Sequence, residues 1–283
     1  EYGFPESHSA SFALLVYVSC WLKHHEPAAF TCSLLNSQPM GFYAPAQLVQ
    51  DLRRHDVEVR PVDVLQSDWD CTLEPGRGGE PALRLGLRMV KGLQHQPILT
   101  FLESRTQGGD MQSALRDLGR RQVKALAAAG ALDGLSEHRR LAGWQALGLD
   151  KLPGFLEGAG FTETQPDLPA PNEAENLLAD YGSIGLTLGR HPMALLRPRL
   201  HKWRTVQAAA LDAMPHGRFV RVAGLVINRQ RPGTASGVIF MTLEDETGSI
   251  NVVLWPWVVQ QQRRLVIGSR LLRVHGKVER QGR

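Results

Sequence analysis

The last quarter of the chain constrains its fold most, because β-rich runs follow one another there. Residues 218–229, 237–248 and 249–255 alternate apolar and polar side chains, which is the period of strands with one buried face. Polar turn residues separate these runs, and a fourth run lies at residues 270–278. Short strands arranged in this way predict a small Greek-key barrel, the OB-fold, whose sheet binds oligonucleotides or oligosaccharides.

Positive charge is concentrated in the same region. Residues 216–283 contain eleven Lys or Arg and four Asp or Glu, whereas the rest of the 283-residue chain contains 21 basic and 24 acidic residues. Basic charge gathered on one domain indicates a polyanionic partner. The alternative is a solvated surface that keeps a small barrel soluble, and the strand pattern favours nucleic acid.

The composition argues against several classes of protein. Cys20, Cys32 and Cys71 have neither a metal-ligand spacing nor the even number of a disulfide framework, so a reducing cytoplasm fits the chain. The apolar run at residues 12–18 is far shorter than the roughly 18 residues that suggest a membrane span. No His, Asp and Glu set has a convincing ligand spacing, and we expect neither a metal site nor a membrane partner.

Helical patterns dominate the rest of the chain, so we predict an α+β protein of several domains. Residues 8–25 are apolar nearly all round as far as Trp21, which predicts a buried helix with Ser7 as its N-cap. Because the chain ends after the fourth run and an OB barrel has five strands, we expect an incomplete barrel cut from a larger protein. The predicted segments are residues 1–86, 87–150, 151–215 (a proline-rich linker and helical bridge) and 216–283 (the barrel).

Several stretches, in order, resemble the bacterial C-family DNA polymerases, which comprise the polymerase III alpha subunits and their error-prone relatives. Residues 1–23 resemble the family's Tyr-Gly-Phe-x-x-Ser-His signature and the helix behind it. The stretches that resemble the error-prone branch in particular are residues 34–43, 47–51, 59–63 and 186–192. The resemblance extends through nearly the whole chain and rests on the set of stretches together.

The resemblance implies a function for each segment. Residues 1–86 would be the end of a fingers domain, residues 87–150 a helix-hairpin-helix region, and residues 216–283 a truncated OB domain. The larger protein from which this chain would come, called the parent below, would be an error-prone, damage-tolerant DNA-directed DNA polymerase. Its Mg²⁺-binding palm would lie outside this chain, so we expect the chain alone to be inactive. The implied partners are template-primer DNA, an incoming deoxynucleotide, the sliding clamp and accessory translesion proteins.

The signature residues Tyr2, Ser7 and His8 are candidates for nucleotide binding. The resemblance places Tyr2 and His8 near the sugar or base of the incoming nucleotide, where a bulky ring excludes a ribose 2′-hydroxyl. Helix N-terminal amides at Ser7 and His8 would suit a phosphate. The alternative is that Ser7 only caps the helix and His8 is an ordinary first-turn residue.

A helix-hairpin-helix grips the DNA backbone through loop amides at a Gly-x-Gly turn. Lys91 and Gly92 are the candidates for this contact. Gln94 stands in place of the second glycine, and Pro97 removes an amide from the start of the next helix. A purely structural helical hairpin is therefore the alternative.

The barrel supplies the remaining DNA-binding candidates. The basic ones are expected to form a groove that follows phosphates, and the rings to stack on bases, although strand alternation places some rings in the core. These residues are Arg221, Arg229, Arg231, Arg273 and Lys277, with Phe240 and Trp255 and, as a further ring, Phe219. A clamp-binding peptide at residues 165–169 is weighed against a plain linker, since Pro169 stands where the peptide would need an aromatic anchor.

Two classes of protein compete with the polymerase. One is a non-enzymatic OB-fold module that binds single-stranded nucleic acid, and the other is an interaction scaffold whose barrel grips protein. A labelled oligonucleotide titrated at two salt concentrations separates them, because phosphate contacts make binding salt-dependent and protein contacts do not.

Overall fold

The computed structural model describes residues 6–41, 43–147, 167–234 and 236–280. The chain forms two compact units, Glu1–Leu188 and Gly189–Arg283. Tyr2 and the proposed clamp peptide up to residue 166 lie outside the described residues.

The first unit is helical with one small sheet. Its helices are α1 (Glu6–His25), α2 (Pro27–Asn36), α3 (Pro45–Arg54), α4 (His95–Thr106), α5 (Met111–Leu118), α6 (Arg120–Ala128), α7 (Arg139–Leu147) and α8 (Glu173–Ser183). Its strands are β1 (Val59–Arg60), β2 (Thr72–Pro75) and β3 (Pro81–Arg84), and short 3-10 helices lie at Arg77–Gly79 and Leu87–Met89. The sheet order is β1-β3-β2, with β1 parallel and β2 antiparallel to β3.

One hydrophobic core holds this unit together. Leu35 of α2, Leu83 of β3, Ile98 of α4 and Leu126 of α6 are fully buried and belong to the same cluster. The cluster therefore includes residues on both sides of the predicted boundary at residue 86. Burial of each such side chain stabilises the fold by about 1.5–3 kcal/mol.

Helix α1 differs from its prediction. Its apolar pattern predicts burial, yet Phe12, Tyr17 and Trp21 are all exposed. A helix that is apolar nearly all round is buried only when other elements pack on every side of it. In the described chain, α1 contacts the rest of the unit mainly near its C-terminal end, where Lys23 forms an ion pair with Asp51 at 2.9 Å. The prediction of a helix is confirmed, and the prediction of its burial is wrong for the described chain.

The second unit is a curled antiparallel half-barrel with helices around it. Its elements are α9 (Pro192–Lys202), α10 (Ala208–Leu211), β4 (Phe219–Gln230), β5 (Ile239–Asp245), β6 (Gly248–Leu254), α11 (Pro256–Gln261), α12 (Arg263–Gly268) and β7 (Leu271–Lys277). The sheet order is β6-β5-β4-β7. The α+β class with an OB-fold barrel, predicted from the alternating runs, is confirmed.

Alternation gives the barrel sheet an inner and an outer face. Val222, Met241, Leu243 and Ile250 point to the inner face and form the barrel core. Gly224 allows β4 and β5 to approach closely, since a Cβ there would lie 2.8 Å from the carbonyl oxygen of Glu244. A register shift between Val226 and Asn228 then turns the last part of β4.

Helix α9 covers the middle of the outer face. Met193 and Leu200 of α9 are buried against Ala223, and Leu225 packs beside them. The centre of the outer face is therefore covered, although Ser249 of β6 and Leu271 of β7 stay exposed on the edge strands. Two other exposed regions lie on that face, one toward each end of β4. We name them the basic end (Trp203, Phe219, Arg221, Arg273, His275 and Lys277) and the Phe240 end (Asn228, Gln230, Phe240, Thr242, Asn251 and Val253).

An ion-pair network fastens α9 to the turn after β5. Arg197 donates from Nε to Glu246 Oε1 at 2.6 Å and from Nη2 to Asp245 Oδ2 at 3.0 Å. The buried Asp245 also accepts from the backbone N–H groups of Ala208 at 2.9 Å and Thr247 at 2.8 Å. Burial opposes ionisation of Glu246, but the hydrogen bonds from Arg197 and Gln207 outweigh it and lower the pKa of Glu246 to about 2.

We expect Arg197→Ala to lower the free energy of unfolding of the second unit by about 3–5 kcal/mol, because the buried Asp245 and the partly buried Glu246 lose their cation. Urea unfolding measures this change. Arg199→Ala, which removes an exposed guanidinium from the same helix, is the matched control. Equal losses in the two variants would refute the role of the network.

The same network predicts an acid dependence of stability. The folded-state pKa of Glu246 is depressed from its ordinary 4.5 to about 2, so its contribution is present above pH 4.5 and is lost as the pH falls toward 2. Unfolding curves between pH 6 and pH 2 measure this slope. It should be shallower in Arg197→Ala than in Arg199→Ala, and identical slopes would contradict the assignment.

The three cysteines should differ in reactivity. Cys20 is exposed on α1, whereas Cys32 and Cys71 are buried. Burial raises the pKa of both buried thiols, that of Cys71 to about 11. A thiol reagent at pH 8 should modify one cysteine rapidly, and Cys20→Ser should abolish that phase; three rapid equivalents would contradict this burial.

Candidate nucleic-acid interface

Two of the three predicted nucleotide-binding residues lie in the first turns of α1. The helix begins at Glu6, so Ser7 lies within it and not at the expected N-cap position. His8 is exposed, and its ring lies 4.4 Å from the ring of Phe12 in an edge-on arrangement. The nucleotide-binding role of Tyr2, Ser7 and His8 stays a prediction.

Lys91 and Gly92 lie in the connection that leads into α4. Gly92 has φ +87°, a conformation that favours glycine, and a Cβ there would have no atom within 4 Å. The ammonium of Lys91 donates to the carbonyl oxygens of Tyr181 at 3.0 Å and Gly182 at 3.3 Å. Its backbone N–H donates to Ser183 O at 2.8 Å, so Lys91 satisfies carbonyl groups in the last turn of α8.

Gln94, which replaces the second glycine of the motif, also has a structural contact. Its backbone N–H donates to Oε1 of the buried Gln122 on α6 at 3.1 Å. The connection is thus held to both α6 and α8 by hydrogen bonds. These contacts describe a structural hairpin, and DNA contact by Lys91 and Gly92 stays a prediction.

A second glycine turn in the same region was not among the predicted sites. Gly119 joins α5 to α6 with φ +78°, and a Cβ there would also have no atom within 4 Å. Arg120 and Arg121 follow it and are exposed. A glycine turn followed by basic residues at the start of a helix resembles the backbone-gripping turn sought at Gly92, and this short run was the signal that sequence reasoning missed.

The basic end of the barrel brings several predicted residues together. Phe219 of β4 pairs with Lys277 of β7, and Arg221 pairs with His275. Arg273 lies two residues farther along β7, on the same face. Side chains so placed on neighbouring strands lie about 5–8 Å apart, so they form one surface.

Two exposed rings belong to this surface. The side chain of Phe219 is 65% exposed, and Lys277 Nζ lies 5.4 Å from its ring centroid. Trp203, just after α9, is 49% exposed, and the Arg273 guanidinium lies 5.0 Å from its ring. Both distances are within the range of cation–π attraction, which holds each cation over a flat apolar surface.

The Phe240 end is less basic. Phe240 pairs with Val253 on one side and Gln230 on the other, and it is partly exposed. Thr242 Oγ1 donates to Asn251 Oδ1 at 3.2 Å across the same strands. Trp255 lies at the N-cap of α11, directly after β6, and is half exposed.

The predicted single groove is divided in the structure. Arg229 pairs with Met241, so it faces the inner side, and its guanidinium donates to the carbonyl oxygens of Val266 at 2.8 Å and Ser269. Arg231 lies in the turn between β4 and β5, with Nη2 near Gly237. Arg221, Arg273 and Lys277 therefore share a surface that does not include Arg229 or Arg231.

Comparison with protein families identifies two kinds of domain in the chain. A helix-hairpin-helix motif matches residues 56–142, and an OB-fold nucleic acid binding domain matches residues 220–283. The chain therefore combines a helix-hairpin-helix region with an OB-fold domain of the nucleic-acid-binding kind. No described helix is long and apolar enough to cross a membrane, and the described side chains contain no group of three or more His, Cys, Asp or Glu suited to a metal ion.

The whole chain is also similar to particular proteins. It is 60% identical to an error-prone DNA polymerase of Alkalilimnicola ehrlichii, 56% identical to one of Azoarcus sp. and 52% identical to one of Pseudomonas fluorescens, each over the full length of this chain. The chain spans 27–28% of those relatives and corresponds to a C-terminal portion of them. The predicted resemblance to the error-prone branch is confirmed.

We expect Lys91→Ala to lower the free energy of unfolding of the first unit by about 1 kcal/mol, because two carbonyl groups of α8 lose their donor. Thermal or urea unfolding measures this loss. The control is Lys124→Ala, which removes an exposed ammonium from α6 and should change stability by less than about 0.5 kcal/mol. A Lys91→Ala protein as stable as the control would show that these contacts contribute nothing.

Proposed function

We propose that this chain is the DNA-handling portion of an error-prone DNA polymerase that copies damaged templates. The observation that carries the proposal is the 50–60% identity to error-prone DNA polymerases along essentially the whole chain. Identity at this level extends through both modules and the helices that join them. A free-standing OB-fold module would explain the similarity of residues 220–283 alone.

The charges of the barrel support DNA as the partner. In the first unit, the guanidinium groups of Arg60, Arg84 and Arg105 form ion pairs with carboxylates of the same unit. Arg221, Arg273 and Lys277 form no ion pair with any described residue of the barrel. Their charges are therefore available to phosphates, whose contacts position a protein on DNA without reading sequence.

The two modules would divide the work of holding DNA. The glycine turns at Gly92 and Gly119 would approach the duplex backbone of the template-primer, and the barrel would bind single-stranded template. Tyr2, Ser7 and His8 would contact the incoming deoxynucleotide. Sliding-clamp and accessory translesion partners, and a cytoplasmic location, belong to this proposal for the parent protein.

The metal chemistry of nucleotidyl transfer would come from the rest of the parent. Two Mg²⁺ ions in such enzymes activate the primer hydroxyl and stabilise the leaving pyrophosphate. The described residues of this chain do not fit that requirement, since they contain no suitable acidic cluster. The contribution of this chain is therefore to bind and orient DNA and nucleotide.

The test is primer extension by the parent polymerase that contains this chain, on an intact template and on one with an abasic site. We expect extension on both, and we expect Arg221→Ala, Arg273→Ala and Lys277→Ala together to raise the concentration of primer-template needed for half-maximal rate. The matched control removes three exposed guanidinium groups elsewhere on the second unit, by Arg199→Ala, Arg263→Ala and Arg264→Ala together. A parent that adds no nucleotide to either primer would refute the polymerase proposal.

A further inference from the structure

We propose that the basic end is a single-stranded DNA site in its own right, separate from the Phe240 end. It would hold about four nucleotides, with phosphates on its cations and bases stacked on Trp203 and Phe219. The inference rests on the proposed function and specifies which surface of the barrel meets the strand. The single groove expected from the sequence would be replaced by two surfaces with different chemistry.

The separation of the two ends follows from the packing of α9. Leu200 and Met193 are buried on Ala223, in the middle of the outer face. The Arg197 network holds this helix to the turn after β5. A nucleic-acid strand that crosses the centre of the outer face must therefore pass over α9, which separates the two ends at the central strands of the sheet.

The basic end has the charge that a polyanion requires. Arg221, Arg273 and Lys277 lie on one face, with His275 opposite Arg221. Asp245 and Glu246, at the turn after β5, are already paired with Arg197. Against the exposed carboxylate of Glu279, two residues after Lys277, the three cations still leave an excess of positive charge at this end, which favours capture of a phosphate backbone.

The rings indicate a single strand, because bases are available for stacking only when they are unpaired. Phe219 and Trp203 are large, exposed and each associated with one cation. Phe219 and Ala223, which pairs with Arg273, are four residues apart, or about 13 Å along a strand. An OB-fold occupies roughly 4–16 nucleotides of a single strand, and a surface of this length fits the short end of that range.

An acidic peptide is the competing occupant for such a surface. Carboxylates would satisfy the three cations, but they would leave the faces of Phe219 and Trp203 without a flat partner. Alternating cations and rings match the alternating phosphates and bases of a single strand. The structure therefore favours nucleic acid, and peptide binding becomes an outcome of the test.

The experiment uses the full chain and a fluorescently labelled hexamer of deoxythymidine, titrated between 50 and 200 mM salt. Arg273→Ala with Lys277→Ala should reduce the steepness of the logarithmic salt dependence by about 1.4, since each phosphate contact on a single strand contributes about 0.7. The control is Arg263→Ala with Arg264→Ala, the same charge change on the exposed surface of α12. The control should leave the steepness unchanged.

Stacking is tested separately with Phe219→Ala. Loss of one stacked base should weaken hexamer binding by roughly fivefold to 150-fold, and Phe240→Ala should have little effect on the same hexamer. Circular dichroism checks that each variant is folded. A hexamer that responds to Phe240→Ala and not to Phe219→Ala would overturn the proposal.

Three other outcomes would also overturn the proposal of a single-stranded DNA site at the basic end. Equal loss of salt dependence in the basic-end and α12 variants would show only a general charge effect and would overturn the proposal. So would tighter binding of a poly-glutamate peptide than of the hexamer, or no hexamer binding at 50 mM salt. Each of these could occur while the parent still extends primers, so the site can fail without the polymerase proposal failing.

Discussion

The packing of α9 on the barrel is the interaction on which the arrangement of the second unit depends. Met193 and Leu200 of α9 are buried against the sheet. Arg197 of the same helix forms ion pairs with both the buried Asp245 and Glu246. The helix is thus held by both an apolar and an ionic contact, and breaking either leaves buried groups without partners. As a result, the centre of the outer face is covered between the basic end and the Phe240 end.

Charge is used differently in the two units. In the first unit the guanidinium groups serve the fold: Glu74 of β2 joins Arg60 of β1 and Arg84 of β3, so one carboxylate links all three strands of the small sheet. On the barrel, Arg221 and Lys277 have no such internal carboxylate among the described residues. The sequence shows the excess of basic residues near the C-terminus. Only the ion pairs in the structure distinguish the cations that stabilise the fold from the cations that can bind a phosphate.

Local patterns predicted several elements well. The capping box expected from Asn172 and Glu175 is present, with reciprocal hydrogen bonds of 3.0 and 2.8 Å. The alternating runs became β4, β5, β6 and β7, because period-two patterning requires only a neighbouring strand and a core. The burial of α1 was predicted wrongly, since an apolar pattern shows which side chains avoid water but not which neighbours cover them.

The sequence by itself determined the kinds of module, the excess of positive charge at the C-terminal end and the similarity to error-prone polymerases. These follow from composition, short periods and motifs, which are local properties of the chain. Only the tertiary structure decided that Arg229 faces the inner side while Arg221 and Arg273 share the outer face with Phe219. The register of β4, its bulge and the position of α9 depend on contacts between distant residues, which local patterns do not specify.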